Sequence, residues 1–206
     1  MKNRIFSILL AFTLVLVGTL GTTAMGVSAV DSNKYNEETL QEVYEEFTAS
    51  SNPQKYFDAL SKEVQTALIK TYAPEAWKAI NNIRVETIVT TTEAKGGPQT
   101  ITVTSTGYNG SLTAWTFSHW ITWSWNSGSI TSLSSGMSGT GYQTGAVKWV
   151  YTGGSYTEEW SYTMSYSRSS TGHFDFYMWV VTWIHFSPSD VDTTLDSIVY
   201  GDGTSA

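Results

Sequence analysis

The feature that most constrains the fold is a change in the spacing of apolar residues at Ile83. From there to about residue 200, apolar side chains tend to recur at every second position. Alternate positions of an extended strand point to opposite faces, so this period is typical of β-strands, and the Gly, Asn and Ser breaks are typical of turns. The sequence predicts strands at 83–92, 99–108, 111–125, 142–151, 155–167, 172–186 and, more weakly, 195–200.

The short breaks between most of these segments favour antiparallel pairing, because parallel strands need crossovers of a dozen or more residues. Only 126–141 is long enough for such a crossover. The predicted fold is therefore mainly β, an antiparallel β-sandwich or a partly closed barrel. The chain contains no cysteine, which excludes disulfides, thiolate catalysis and Cys-ligated zinc.

The apolar pattern around Gly110 predicts the register of one hairpin. A two-residue Asn-Gly turn would place Val103 opposite Thr116 and mix apolar with hydroxyl side chains on one face. A three-residue loop at 108–110, with Gly110 in the left-handed conformation, places Val103 opposite Trp115 instead. We therefore expect the longer loop, with Val103 and Trp115 on the same face of the sheet.

A helical period precedes the strands. Between Leu40 and Phe47, apolar residues form one stripe of a helix and glutamates fill the other face. Pro53 and Pro74 are suited to the first turns of further helices. Helices this short are not stable alone in water, so we expect the segment to pack on the β domain as a lid. The alternatives are a releasable pro-segment and a partner-binding surface.

The N-terminus has the three-part pattern of a secretory signal. Lys2 and Arg4 precede an apolar run, and small residues up to Ala29 are suited to cleavage. The run is shorter than the roughly 20 residues of a spanning helix. We therefore expect a secreted, extracellular protein. The predicted parts are a signal peptide at 1–29, an acidic α-helical segment at 30–82, an aromatic-rich antiparallel β domain at 83–200 and a flexible tail at 201–206.

Charge restricts the partners of this chain. It has 11 basic and 18 acidic residues, and two of the basic ones would leave with the signal. Nucleic acids and anionic lipids attract clustered Lys and Arg, so we expect no nucleic-acid partner. Residues 96–147 carry no Asp, Glu, Lys or Arg. This stretch has three interpretations: a covered or hydroxyl-lined sheet, a face that binds neutral glycan, and a segment that refolds into a membrane barrel.

The predicted strand at 172–186 supplies most of the candidate binding residues, because both of its faces are apolar. Such a strand is normally central and covered twice, and the helices could be the second cover. The functional interpretation is an aromatic platform, since sugar rings stack on aromatic faces while polar neighbours bind their hydroxyls. Trp120 joins this set because it is the one aromatic residue on the hydroxyl face of its strand. The candidate binding residues are Trp120, Tyr177, Trp179, Trp183 and His185, with His173 and Asp175 beside them.

The sequence contains no catalytic or metal-binding motif. Glu158 and Glu159 are adjacent, so a strand would point them to opposite faces and they could not serve one site. The three histidines lack the spacing of known zinc motifs. We therefore expect no catalytic residues, no metal and no cofactor.

These observations favour a secreted, non-catalytic binding protein that recognises glycan or a cell-surface partner through aromatic side chains on a sheet. The alternatives are a membrane-active or self-assembling, pore-forming-like β protein and a secreted hydrolase. Glycan binding predicts two exposed, coplanar aromatic rings. Assembly predicts a loosely packed amphipathic hairpin, and catalysis predicts carboxylates or histidines that converge in a pocket.

Overall fold

The computed structural model describes residues 37–93, 97–186 and 191–206. The predicted signal peptide at 1–29 lies outside these residues. The helices are α1 (Glu37–Ala49), α2 (Pro53–Ala59), α3 (Lys62–Tyr72) and α4 (Pro74–Asn81). The strands are β1 (Ile83–Glu93), β2 (Gln99–Asn109), β3 (Leu112–Asn126), β4 (Ser129–Gly141), β5 (Gln143–Thr144), β6 (Val147–Ser161), β7 (Ser165–Trp179), β8 (Trp183–His185) and β9 (Val191–Tyr200).

The described strands form two antiparallel sheets. The four-stranded sheet is a meander in the order β1-β2-β3-β4. In the five-stranded sheet, β5, β6 and β7 are neighbours, and both β8 and β9 lie on the far side of β7. There, β8 pairs with the C-terminal end of β7 and β9 pairs with its N-terminal two thirds. The fold is mainly β, as the alternation predicts, and neither sheet closes on itself.

The two sheets share one hydrophobic core. The face of each sheet whose side chains enter this core is its inner face, and the opposite one is its outer face. Trp115 of β3 stacks on Phe174 of β7 with ring centroids 5.0 Å apart, and Phe117 lies 6.2 Å from the ring of Tyr151 of β6. All four rings belong to one apolar cluster, so burial of aromatic surface holds the sheets together.

The helices extend this core and contact the five-stranded sheet at β8 and β6. Phe57 of α2 packs edge-on against Phe186, which follows β8, at a centroid distance of 5.9 Å. The side chain of Asn52 accepts a hydrogen bond from the N–H of Lys55 and caps α2 directly before Pro53. The helical segment therefore packs on the β domain: many of its buried apolar side chains lie in the same cluster as the sheet residues, and a smaller cluster lies among the helices themselves. No helix in the described ranges is long and apolar enough to cross a membrane.

The predicted register of the β2–β3 hairpin is wrong, although the predicted faces are correct. Val103 lies opposite His119, four residues beyond Trp115, and Asn109 lies opposite Leu112 across the turn. Gly110 is left-handed, with φ of 61°. A shift of four residues leaves every side chain on its original face, so the alternation of apolar residues cannot distinguish the two registers.

The strand boundaries differ from the prediction at several places, and the segment predicted as one strand at 172–186 is the end of β7, a turn at 180–182 and β8. Residues 126–141, which the sequence left as a connection, contain β4, whose many Ser and Gly residues are poor strand formers. The segment predicted as one strand at 155–167 contains the end of β6, the turn of the β6–β7 hairpin and the start of β7. Its turn contains Tyr162 in the left-handed conformation, with φ of 54°. Residues 201–206, predicted as a flexible tail, turn back on β9, where Ala206 exchanges two backbone hydrogen bonds with Ile198.

Candidate functional site

The candidate site lies on the outer face of the five-stranded sheet, at the C-terminal end of β7. Burial alternates strictly along this strand: Phe174, Phe176 and Met178 are buried on the inner face. Tyr177 is half-buried on the outer face, and Trp179 is 49% exposed. The sequence was also compatible with a strand that is covered on both faces. Side chains of the helices enter the shared core on the inner side, and the outer-face residues of this strand end remain partly exposed.

Four of the five predicted binding residues come together on this outer face. The register of β7 and β8 places Tyr177 opposite His185 and Trp179 opposite Trp183. Ring centroids are 4.9 Å apart in the first pair and 5.7 Å apart in the second. These four residues form the aromatic platform. Its two indoles meet at 64°, so the expected coplanar arrangement is absent and the pair forms a corner.

Helix α2 holds the strand that carries half of the aromatic platform. The backbone N–H of His185 donates to Gln54 Oε1 at 2.8 Å, and Gln54 Nε2 donates to the His185 carbonyl at 3.1 Å. The amide side chain thereby bonds to β8 as a neighbouring strand would. The short β8 is thus fixed from both sides, by β7 and by the helical segment.

Two histidine–carboxylate pairs adjoin the aromatic platform. His173 Nδ1 lies 2.7 Å from Asp192 Oδ1, which joins β7 to β9. His185 Nε2 lies 3.3 Å from Asp175 Oδ2, which is within ion-pair range. The alignment of this second contact is too poor for a hydrogen bond, so Nε2 has no hydrogen-bond partner among the described residues. His173 and Asp175, predicted as polar neighbours, therefore lie beside the platform.

Trp120 does not belong to this site. It lies on the outer face of the four-stranded sheet, between Thr102 of β2 and Gly136 of β4. Its indole covers Gly136 so closely that a Cβ atom there would overlap the ring. An aromatic residue that covers a glycine on a neighbouring strand protects exposed backbone. Trp120 belongs to the four-stranded sheet and the aromatic platform to the five-stranded one, so the structure does not bring Trp120 together with the other four residues.

Hydroxyl side chains surround Trp120 on this face. Thr100 and Thr122 are hydrogen-bonded at 2.9 Å, and Thr104 and Ser118 at 2.8 Å. These cross-strand pairs show how the charge-free stretch at 96–147 can form a sheet, because the hydroxyl groups hydrogen-bond to one another and need no charged partners. Of the interpretations of 96–147, the structure displays a hydroxyl-lined outer face.

Sequence reasoning missed a depression of about 640 Å³ farther along the outer face. It lies across the N-terminal half of β7 and involves β6 and β9 on either side. The outer-face residues that line it include Thr157, Glu159, Ser167, Ser169, Asp196 and Ile198. Glu159 and Asp196 were visible in the sequence as charged residues. Their convergence requires the pairing of β9 with β7, which local periodicity does not reveal.

A partly buried polar network around Arg168 was also missed. Arg168 is only 4% exposed, and its Nη1 donates to Glu158 Oε1 at 2.7 Å and to Ser135 Oγ at 2.8 Å. The hydroxyl of Tyr166 donates to the same Glu158 oxygen at 2.5 Å. Burial, followed by the bond to Glu158, raises the pKa of Tyr166 above its ordinary value. The network lies between the sheets, where full pairing of the buried charge is required.

The structure provides little support for catalysis. Glu158 belongs to the inner face and Glu159 to the outer face, as predicted from their adjacency. Both exposed histidines pair with carboxylates, whereas the histidine that bonds to a serine, His119, is fully buried. Burial, and then the nearby Arg168, lower the pKa of His119 to about 4, too low for an effective base near neutral pH. No cluster of metal-ligating side chains occurs in the ranges that the structure covers.

Comparisons with known proteins add no functional information. The sequence matches no family model, and neither the curated proteins nor the solved structures give a match.

Proposed function

We propose that this protein is a secreted, non-catalytic glycan-binding protein whose binding surface is the aromatic platform. One observation carries the proposal: Tyr177, Trp179 and Trp183 lie together on a solvent-facing sheet surface with two histidine–carboxylate pairs beside them. Sugar rings have apolar C–H faces and a periphery of hydroxyls. A site for them therefore needs aromatic surface and polar side chains within one patch.

The corner between Trp179 and Trp183 suits a single sugar ring. One indole supplies a face for stacking and the other supplies an edge that limits the position of the ring. The partly exposed carboxylate of Asp175 is available to hydroxyl groups at the rim. Because β8 is held by Gln54, the platform is ordered before binding, which lowers the entropic cost of association.

The proposal includes the finer architecture and the location. We infer that the two open sheets form a β-sandwich, since their inner faces share one core and neither sheet closes. The N-terminal pattern of basic, apolar and small residues supports export to the extracellular space, where glycans occur. A cell-surface partner that carries such a glycan satisfies the same site.

The test is a tryptophan-fluorescence titration of the purified protein with a panel of oligosaccharides built from glucose, xylose, N-acetylglucosamine and glucosamine. We expect Trp179→Ala to weaken binding of the best ligand roughly tenfold, because an aromatic stack contributes up to about 1.5 kcal/mol. Trp120→Ala is the matched control and should leave the affinity unchanged, since Trp120 lies on the other sheet. Equal losses in both variants, or no binding to any sugar, would refute the proposal.

A membrane-active function is the second candidate, and one observation favours it. The β6–β7 hairpin ends in exposed apolar side chains: Trp160 is 50% exposed, Tyr162 90% and Met164 65%. Aromatic residues at such a tip prefer the interface between water and lipid. By contrast, β2 and β3 are the middle strands of their sheet and supply core residues, so the charge-free hairpin is poorly placed to detach.

Dye release from phosphatidylcholine vesicles tests this second candidate. A membrane-active protein should release dye, and Trp160→Ser combined with Tyr162→Ser should reduce the release severalfold. Trp179→Ala is the control, because it removes an exposed aromatic residue elsewhere. Intact vesicles between pH 4 and pH 8 would remove this candidate.

A further inference from the structure

The outer face of β7 connects the aromatic platform to the depression. Its outward residues run from Trp179 through His173 and Thr171 to Ser169. At about 3.3 Å per residue, the distance from Trp179 to Ser169 is roughly 33 Å. The half-buried residues between the two ends are polar, and Thr171 is hydrogen-bonded to Thr194 at 2.9 Å. The surface is therefore an elongated track, much longer than one sugar ring.

The far end of the track is acidic. Glu159 lies opposite Ser167 on one side of β7, and Asp196 lies opposite Ser169 on the other side. Both carboxylates are exposed and line the depression, and neither has an ion-pair partner among the described residues. Arg168, beside the depression, is buried on the inner face and already paired with Glu158 at 2.7 Å, and the exposed Lys148 lies at the other end of the track, opposite Tyr177. Two uncompensated negative charges thus face one shallow space.

We propose that the track binds a linear glycan that carries free amino groups, such as a chain of glucosamine units. This inference rests on the proposed function, because one end of the chain stacks on the aromatic platform. Charge complementarity identifies the rest of the ligand: ammonium groups of the chain pair with Glu159 and Asp196 in the depression. A neutral chain offers these carboxylates only hydroxyl donors, which bind them less strongly than ammonium groups do, and an anionic chain is repelled by them.

Chain length follows from the same geometry. A disaccharide can occupy the aromatic platform or the depression, whereas a longer chain occupies both at once. Joining two weak contacts in one ligand raises the affinity well beyond that of either contact alone. Affinity for amine-bearing chains should therefore rise steeply with length until the chain spans the track.

Fluorescence titration with four ligands tests the inference: the disaccharide and the hexasaccharide of glucosamine, and the same two lengths of N-acetylglucosamine. At low salt, we expect the glucosamine hexasaccharide to bind at least fivefold more tightly than its acetylated counterpart and than the disaccharide. Glu159→Gln combined with Asp196→Asn should reduce this affinity roughly fivefold to tenfold, because exposed ion pairs contribute up to about 1 kcal/mol each. Glu42→Gln combined with Glu75→Gln removes the same charge from the helices and should have no effect.

The outcomes separate this inference from the proposed function. Equal affinity for the amine and acetylated hexasaccharides, or unchanged binding by the doubly neutralised variant, overturns the inference. If Trp179→Ala still weakens binding in that case, glycan binding at the platform stands. Binding that is insensitive to Trp179→Ala, or no binding of any of the four sugars, overturns both. Thermal unfolding of each variant verifies that the fold is retained.

Discussion

The Nε2 atom of His119 lies 3.0 Å from the Oγ atom of Ser197, and this hydrogen bond joins β3 of one sheet to β9 of the other. His119 is fully buried, and its Nδ1 has no hydrogen-bond partner among the described residues. Burial is the largest cause that lowers its pKa to about 4, and the charge of Arg168 lowers it further, while Asp196 acts in the opposite direction. The imidazole is therefore neutral in the folded protein at neutral pH.

This contact predicts a loss of stability in mild acid. The pKa of His119 is about 4 in the folded protein and 6.5 in its unperturbed state, so the unfolded chain takes up the proton first. The contribution of neutral His119 to the free energy of unfolding is complete above about pH 6.5. It declines as the pH falls toward 4 and changes no further below pH 4. We expect a decrease of roughly 2 to 3 kcal/mol in the free energy of unfolding, measured by urea denaturation across this range.

Two variants isolate the histidine in this experiment. His119→Gln keeps a side chain that can bond to Ser197 but does not titrate, so the pH dependence between 6.5 and 4 should largely disappear. Ser197→Ala removes the partner and lowers stability at every pH, but leaves the titration in place. An unaltered pH profile in His119→Gln would show that other groups cause the acid sensitivity.

The close contact between Gly172 and Phe117 predicts that the sheets cannot tolerate a methyl group at this position. A Cβ on Gly172 would lie 2.5 Å from Phe117 Cδ2, and Phe117 is fully buried, so the ring has no free space to enter. We expect Gly172→Ala to cost about 1 to 3 kcal/mol, the usual range for overpacking a core. Ser169→Ala, on the outer face of the same strand, should change stability by less than about 0.5 kcal/mol. Similar urea midpoints for the two variants would contradict this account.

The buried guanidinium of Arg168 predicts different effects of two neighbouring substitutions. Glu158→Gln leaves Arg168 without its counter-charge and should cost about 2 kcal/mol, less than for a fully buried pair because Glu158 is one third exposed. Glu159→Gln changes the same charge on the outer face and should be nearly neutral. Adding Arg168→Met to Glu158→Gln should recover part of the loss. A larger loss of stability in Glu159→Gln than in Glu158→Gln, measured by chemical denaturation, would contradict the assignment of these two residues to the outer and inner faces.

The two hydrogen bonds of Gln54 predict that α2 controls the order of β8. Gln54→Ala should cost about 1 to 2 kcal/mol, because two backbone groups of His185 lose their partners. The His185 amide should exchange its hydrogen faster, and Trp183 should become more accessible to an aqueous quencher. Gln41→Ala is the control, because Gln41 bonds within the helical segment. Unchanged exchange at His185 would show that β7 alone orders this strand.

Most of the platform could be predicted from the sequence because it depends only on parity, that is, on whether residues occupy odd or even positions along a strand. Tyr177 and Trp179 are two residues apart on one strand, so any extended conformation puts them on the same face. His185 and Trp183 joined them through a short antiparallel return, which keeps parity across the turn. The same rule separated Glu158 from Glu159. The position of Trp120 relative to the platform could not be predicted in this way, because alternation relates residues within a sheet and says nothing about which of two sheets a strand enters.

The sequence by itself determined the class of fold, the position at which helices give way to strands and which side chains share a face, since these follow from a two-residue period. Only the tertiary structure decided the register of β2 against β3, the existence of β4 and the depression formed by β6, β7 and β9. Registers that differ by an even number of residues bury the same side chains, and a strand rich in Ser and Gly becomes stable only when Trp120 and Tyr151 lie against its glycines. Those contacts join distant parts of the chain, so no local pattern encodes them.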